Sequence, residues 1–173
     1  MEDDQLKSRI RSVPDFPKPG ILFYDVTTLL RDPKGFRLTI DRLSDPYRDK
    51  QIDFVVGIES RGFILGAAVA DRIGAGFIPV RKPGKLPAEC IRATYELEYG
   101  TDSLEMHRDA IGSGQRVLIV DDLLATGGTA QATVGLVKQV GGIVVGVAFL
   151  IELMALKGRA RLAEEQVMAV LQY

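Results

Sequence analysis

Val117-Leu118-Ile119-Val120-Asp121-Asp122-Leu123-Leu124-Ala125-Thr126-Gly127-Gly128-Thr129 places a strand, a turn and the start of a helix in succession. Its four opening residues are apolar and mostly β-branched. A run of that kind suits a strand buried on both faces, as in a parallel sheet. Asp121 and Asp122 follow where the strand is expected to leave the sheet, at the carboxyl end, where open α/β sheets bind ligands. Ala125 to Thr129 is a small, hydroxyl-bearing, glycine-containing turn that leads into the helix-compatible run Ala130 to Val140. Backbone N–H groups at a helix N-terminus, with threonine hydroxyls beside them, suit a phosphate dianion. Two hydroxyl-seeking carboxylates next to such a cradle describe a binder of a sugar phosphate. A nucleotide P-loop fits worse, since no Gly-Lys-Ser/Thr follows the glycines. The dinucleotide fingerprint fails because its glycines come directly after the strand.

A second strand-to-helix junction stands upstream. Phe54-Val55-Val56-Gly57-Ile58 has a buried-strand pattern, Phe63 to Ile73 reads as a helix, and Glu59-Ser60-Arg61-Gly62 lies between them. The turn offers free N–H groups and a guanidinium to a second anion. By itself it reads more simply as a solvated arginine in a tight turn. Two anion sites at matching junctions suit a ligand with phosphates at both ends.

In order and spacing these parts resemble the type I phosphoribosyltransferases, which bind 5-phosphoribosyl-1-pyrophosphate (PRPP). The resemblance implies that Asp121 and Asp122 face the ribose hydroxyls. It gives Ala125, Thr126, Gly127, Gly128 and Thr129 the 5-phosphate, and Glu59, Ser60 and Arg61 the pyrophosphate. It also implies an α/β fold with a mainly parallel central sheet flanked by helices on both faces, an N-terminal hood over residues 1–30 and a flexible lid hairpin within 81–114. Alternation of apolar strands and helices along the chain points to the same sheet. Gly76 to Val80 is a strand whose Pro79 favours an edge or a bulge; Ile143 to Leu150 and Val167 to Leu171 are two more. Asp32 to Asp45 is a helix, and Glu2 to Ser12 a short amphipathic one.

Composition narrows the rest. The chain has 173 residues, is 46% hydrophobic and carries 22 Lys plus Arg against 23 Asp plus Glu, as expected of one globular domain spanning 1–173 with no global attraction for nucleic acid or membranes. One cysteine, Cys90, and one histidine, His107, leave no disulfide framework and few metal-site schemes, so no metal site on the protein is expected. The polar N-terminus and the short apolar runs point to a cytoplasmic protein. Residues 81–114 are the least core-like part, opening with Arg81, Lys82 and Lys85 and continuing through the alternating Ala93–Gly100, which suits a hairpin. So long a polar excursion is either a solvated loop or a lid whose cations neutralise pyrophosphate and whose closure keeps water from the reacting carbon.

Flanking segments resemble the adenine-accepting members of that family: Arg9-Ile10-Arg11-Ser12, Pro14 to Pro17, Pro19 to Asp25, Gly57 to Phe63, Leu97 to Gly100 and Leu156 to Arg159. That resemblance implies conversion of adenine and PRPP into AMP and pyrophosphate. Leu22 and Phe23 would lie against the base, with backbone groups near Leu22 to Tyr24 reading its edge; on pattern alone the apolar pair is as readily core. Position 24 is Tyr where some relatives have a basic residue, so only its backbone role carries over. Glu98 aligns with a glutamate implicated in proton transfer at the base, and Arg61, Arg81 and Lys85 would stabilise the departing pyrophosphate. Mg2+ would arrive on PRPP or pyrophosphate, and a homodimer is implied. The alternatives are a transferase acting on a 6-oxopurine and a PRPP-sensing regulator with the same fold.

Overall fold

The computed structural model describes residues 2–97 and 99–173. In chain order the elements are α1 (Glu2–Lys7), β1 (Arg11–Pro14), β2 (Leu22–Asp25), α2 (Thr27–Leu30), α3 (Pro33–Ser44), β3 (Phe54–Ile58), α4 (Arg61–Ile73), β4 (Gly76–Val80), β5 (Cys90–Glu96), β6 (Thr101–His107), β7 (Arg116–Leu124), α5 (Gly128–Gln139), β8 (Ile143–Glu152) and β9 (Val167–Gln172). Five strands form one parallel sheet in the order β4-β3-β7-β8-β9. Its inner strands are the ones with unbroken apolar runs: Val117 to Val120 and Val147 to Leu150 have no solvent exposure. Pro79 lies on β4, an edge strand, where a missing N–H leaves no ladder bond unmade.

Helices cover both faces. On one side Ala130, Val134, Leu136 and Val137 of α5 pack with Val56, Ile58, Ile119 and Phe149. On the other, Ile40 and Leu43 of α3 and Leu65 and Val69 of α4 pack with Val55, Leu118, Val120 and Leu150. Local chemistry starts and stops these helices where it should. The Asp32 carboxylate accepts from the Lys34 amide (3.1 Å) ahead of Pro33, and α4 ends on Gly74 at φ 72°.

Four expectations are revised. The helix expected over Glu2 to Ser12 stops at Lys7, and Arg11–Pro14 instead pairs antiparallel with Leu22–Asp25. Val13 precedes a proline, which biases it to extended backbone, and the Arg11 Nη2 to Asp25 Oδ2 ion pair (2.5 Å) fastens the ribbon. The β7 strand runs on through both acids to Leu124, because β8 extends beside it and pairs Asp121 with Phe149 and Leu123 with Ile151. The hairpin expected over Ala93–Gly100 is larger: that segment supplies only the end of β5 and the turn, and β6 is the returning strand. Nor is the whole of 81–114 an excursion, since Ile91, Leu104, Met106 and Ile111 are buried in the core on the α5 side. Within the ribbon, Ile91, Ala93 and Tyr95 on β5 and Leu104 and Met106 on β6 recur every second residue, as in a half-buried ribbon, with Arg92 and Glu105 between them.

Candidate functional site

The sheet order sets where a ligand can sit. From β3 the chain moves outward to β4; from β7 it moves the opposite way to β8 and β9. The reversal falls between β3 and β7, and a crevice opens outside the carboxyl ends of strands at such a point. Both junctions singled out in the sequence leave these two neighbouring strands. They touch: a Cβ on Gly62 would lie 2.8 Å from Asp121 Oδ1 and 3.1 Å from the Val120 carbonyl. Only glycine lets the β3–α4 turn descend onto the acids.

The β7–α5 junction forms a cavity of 80 Å³ lined by Asp121, Leu123, Leu124 and Ala125 to Ala130. Gly127 caps α5 at φ 86° with no side chain capping the helix, so the first N–H groups of α5 stay available to an anion. The cradle is tightly floored. A Cβ on Gly127 would approach the Gly158 carbonyl to 2.5 Å, and one on Gly158 would approach the Ala125 carbonyl to 2.2 Å. The segment Gly158–Leu162 is held there by Arg159, whose Nε (3.0 Å) and Nη2 (2.5 Å) donate to the buried Glu152 carboxylate and whose Nη1 donates to the Val167 carbonyl (2.7 Å). The Arg159 bond and charge hold the Glu152 pKa below the ordinary range despite its burial.

At the β3–α4 junction the Glu59–Ser60 peptide is cis, and α4 begins without a side-chain cap on its N-terminus. Glu59 gathers the segment that follows β4. Its carboxylate accepts from Arg81 Nη2 (3.2 Å), the Lys82 amide (2.9 Å) and Lys85 Nζ. Burial opposes ionisation of Glu59, but these donors outweigh it and lower its pKa to about 2. Among the described residues, Arg81 Nε is buried without a hydrogen-bond partner. Lys82 turns the other way, to Asp102 and to Tyr95 Oη (3.0 Å), and so ties the β5–β6 ribbon to the segment after β4. The Tyr95 ring in turn rests on Gly128: a Cβ there would lie 3.3 Å from it.

Between these regions lies an apolar slot of 220 Å³ lined by Leu22, Phe23, Tyr24 and Val26 on one side and Ile151, Leu153 and Leu156 on the other, with Arg61 and Asp122 at its inner end. Arg61 Nε donates to Asp122, and its guanidinium lies 5.8 Å from the Phe23 ring centroid. Burial works against the Arg61 charge, yet Asp122, Asp121 and Asp25 raise its pKa on balance. Asp122 is 8% exposed. Asp121, half-buried, lies beneath the Gly62 turn, and desolvation first, then the Asp122 carboxylate, push its pKa well above the usual carboxylate range.

The structure thus brings together Glu59, Ser60, Arg61, Asp121, Asp122 and Ala125 to Thr129 at one crevice, with Leu22 to Tyr24 at its mouth. Lys82 is directed into the ribbon, and Arg81 and Lys85 are engaged by Glu59. Glu98 lies outside the described residues. Sequence reasoning missed Val26, Ile151 and Leu153 as walls of the slot and Glu59 as the partner of Arg81 and Lys85. The local signal for Ile151 was an apolar run continuing one residue past the expected strand end, and Leu153, set apart by Glu152, had none. Among the described residues, no group of three His, Cys, Asp or Glu side chains is placed to hold a metal ion, and no helix is long and apolar enough to cross a membrane.

Comparison with known proteins gives the family of this fold. The model of the phosphoribosyl transferase domain family matches residues 25–168. The adenine phosphoribosyltransferase of Solibacter usitatus is 67% identical over 168 residues, 97% of each chain. The crystal structure of the Rhodothermus marinus adenine phosphoribosyltransferase superposes with a TM-score of 0.94 at 57% identity, covering 98% of this chain and 97% of that one. The Saccharomyces cerevisiae enzyme, crystallised with a dideoxy-imino-altritol bisphosphate and adenine, gives 0.92 at 44% identity over 97% of each chain.

Proposed function

Since the chain belongs to the phosphoribosyl transferase family and its activity is adenine phosphoribosyl transfer, we propose a division of that reaction among its residues. The observation that carries it is the meeting of two uncapped helix N-termini and an apolar slot at the β3/β7 switch point. PRPP lies across the crevice with its 5-phosphate in the Ala125–Thr129 cradle and its pyrophosphate at Glu59–Gly62. Asp121 and Asp122 between them hold the ribose hydroxyls. Adenine enters the slot edge-on between Phe23 and the Ile151–Leu156 wall, and backbone groups of Leu22 to Tyr24 read its amine.

In the transfer, N9 of adenine bonds to C1 of the ribose as the bond from C1 to the pyrophosphate oxygen breaks. The base loses its N9 proton, for which Glu98 is the acceptor implied by resemblance. As C1 gains oxocarbenium character, the adjacent carboxylates stabilise it electrostatically in a site shielded from water. The departing pyrophosphate is received by Arg81 and Lys85, which exchange Glu59 for its oxygens, and by the unpartnered Arg81 Nε. Arg61 passes from Asp122 toward the same anion, leaving Asp122 free for the sugar. Positioning of both substrates supplies the larger share of the acceleration.

Magnesium fits as a passenger on the donor. The acids at the crevice, Asp121 and Asp122, supply oxygen only, and magnesium keeps several waters and binds through one or two carboxylates with substrate phosphates. When bound it neutralises pyrophosphate charge. The homodimer that the family resemblance implies is checked by light scattering on the purified chain, with twice the chain mass expected. A cytoplasmic setting is supported by the single, unpaired Cys90.

The test of the acceptor is direct. With magnesium and PRPP supplied, adenine is expected to give AMP, while hypoxanthine, guanine and xanthine give no nucleotide. A site built to accept from an exocyclic amine rejects an oxo group by orders of magnitude. Nucleotide formed from a 6-oxopurine at a comparable rate would overturn the backbone readout.

A further inference from the structure

We propose that Tyr173 is a positioning residue for adenine, fixing the separation of the two walls of the base slot. The proposal rests on adenine occupying that slot. The ribbon that carries Leu22 to Tyr24 is hydrogen-bonded as a sheet only to itself: β1 pairs with β2, and neither strand joins the five-stranded sheet. Its place over the site therefore depends on side chains. One tie is Arg61 against Phe23, and Ile10 and Val26 at the ribbon's ends are buried in the core. Another tie is Tyr173, whose ring stacks on Tyr24 with centroids 4.1 Å apart and planes tilted by 37°.

Tyr173 is itself fixed to the opposite wall. Its amide donates to the Glu152 carbonyl (3.0 Å), and its carbonyl accepts from the Met154 amide (2.9 Å). Between these two anchors stands Leu153, a lining residue of the slot. Behind it, Lys7 Nζ donates to the Gln172 carbonyl (2.9 Å) and lies 4.9 Å from the Tyr173 ring centroid. The buried Glu152 is locked in turn by Arg159 and by Gln172 Nε2 (3.3 Å). The backbone of Tyr173 thus belongs to the Leu153 wall while its ring carries the Tyr24 wall. A flat base needs walls at one spacing, and a stacked aromatic pair bonded to both is suited to set it. Tyr173 does not line the slot, so its effect passes through Tyr24.

Steady-state kinetics on the full chain test this. Tyr173→Leu is expected to raise the KM for adenine by about five- to tenfold, in keeping with the loss of one aromatic pair. The KM for PRPP and kcat should stay within about twofold, because the donor cradle and the acids make no contact with Tyr173. Tyr173→Phe, which keeps the ring, should restore the wild-type value. A double-mutant cycle with Tyr24→Leu should be non-additive, the double variant binding adenine no worse than the weaker single one. An unchanged KM for adenine, a parallel rise in both KM values, full additivity, or failure of Tyr173→Phe to restore the wild-type value would each overturn the proposal. Should Tyr173→Leu not fold, Tyr173→Met carries the same measurement with more of the side-chain bulk retained. The wild-type protein forming AMP from adenine is the control: its failure would strike the assignment of the slot and not the role of Tyr173.

Discussion

Asp121 lies beneath the Gly62 turn with Oδ1 accepting from the Asp122 amide (2.9 Å), where burial and the Asp122 carboxylate raise its pKa. A raised carboxyl pKa means that the folded state binds the proton more tightly than the unfolded state does. Stability then falls as pH rises from the unfolded value of 3.8 through the folded one. Asp121→Asn should therefore melt at a higher temperature than the wild type at pH 7, and the gain should vanish as pH falls below 3.8, while the KM for PRPP rises roughly tenfold; thermal melts across pH with parallel kinetics check both. Gly127→Ala should do the reverse to the fold. Its Cβ meets the Gly158 carbonyl at 2.5 Å and its φ is 86°, so we expect a loss of about 1–3 kcal/mol in denaturant melts together with weakened PRPP binding. The residue types of the cradle were legible because phosphate chemistry asks for them at a helix start. The partners of Arg61 and Glu59 were not, since Asp122 and Lys85 lie far along the chain and meet them only through strand pairing.

Elements were legible where burial makes a run continuous. The strands β3, β7, β8 and β9 are apolar on both faces, α3 opens on the Asp32 cap and α4 closes on Gly74. The β5–β6 ribbon was harder, because its inward residues Ile91, Leu104 and Met106 alternate with charges, and the α1 to β1 passage changed period within a few residues. At this scale the Glu59 cluster holds the segment after β4 to the segment after β3. Its folded pKa of about 2 lies below the unfolded 4.5, so its stabilisation is complete above pH 4.5 and is lost as pH falls toward 2. Glu59→Gln should flatten the acid limb of stability in that window, as followed by thermal melts across pH. Lys82→Met, by releasing Tyr95 and Asp102, should speed amide hydrogen exchange in Cys90–His107 while leaving β7 and β8 protected. Equal acceleration in all four strands would show that Lys82 serves the whole fold.

For the whole molecule the decisive fact is strand order, and no local pattern in the sequence states it. That β3 lies beside β7 is what joins two separate anion-binding turns into one two-ended site; the sequence could suggest the pairing only through the chemistry of a ligand with phosphates at both ends. Phe149, fully buried on β8 opposite Asp121, helps hold that order. Phe149→Ala should cost about 3–5 kcal/mol of unfolding free energy, with the surviving folded fraction keeping wild-type substrate preference. A crystal structure with AMP bound gives the most direct view of the division between donor and acceptor sites. The phosphate should lie against the amides of Thr126 to Thr129, the ribose hydroxyls against Asp121 and Asp122, and the adenine ring between Phe23 and the Ile151–Leu156 wall. An adenine ring found outside that slot, or a phosphate seated at Glu59–Gly62 instead, would contradict it.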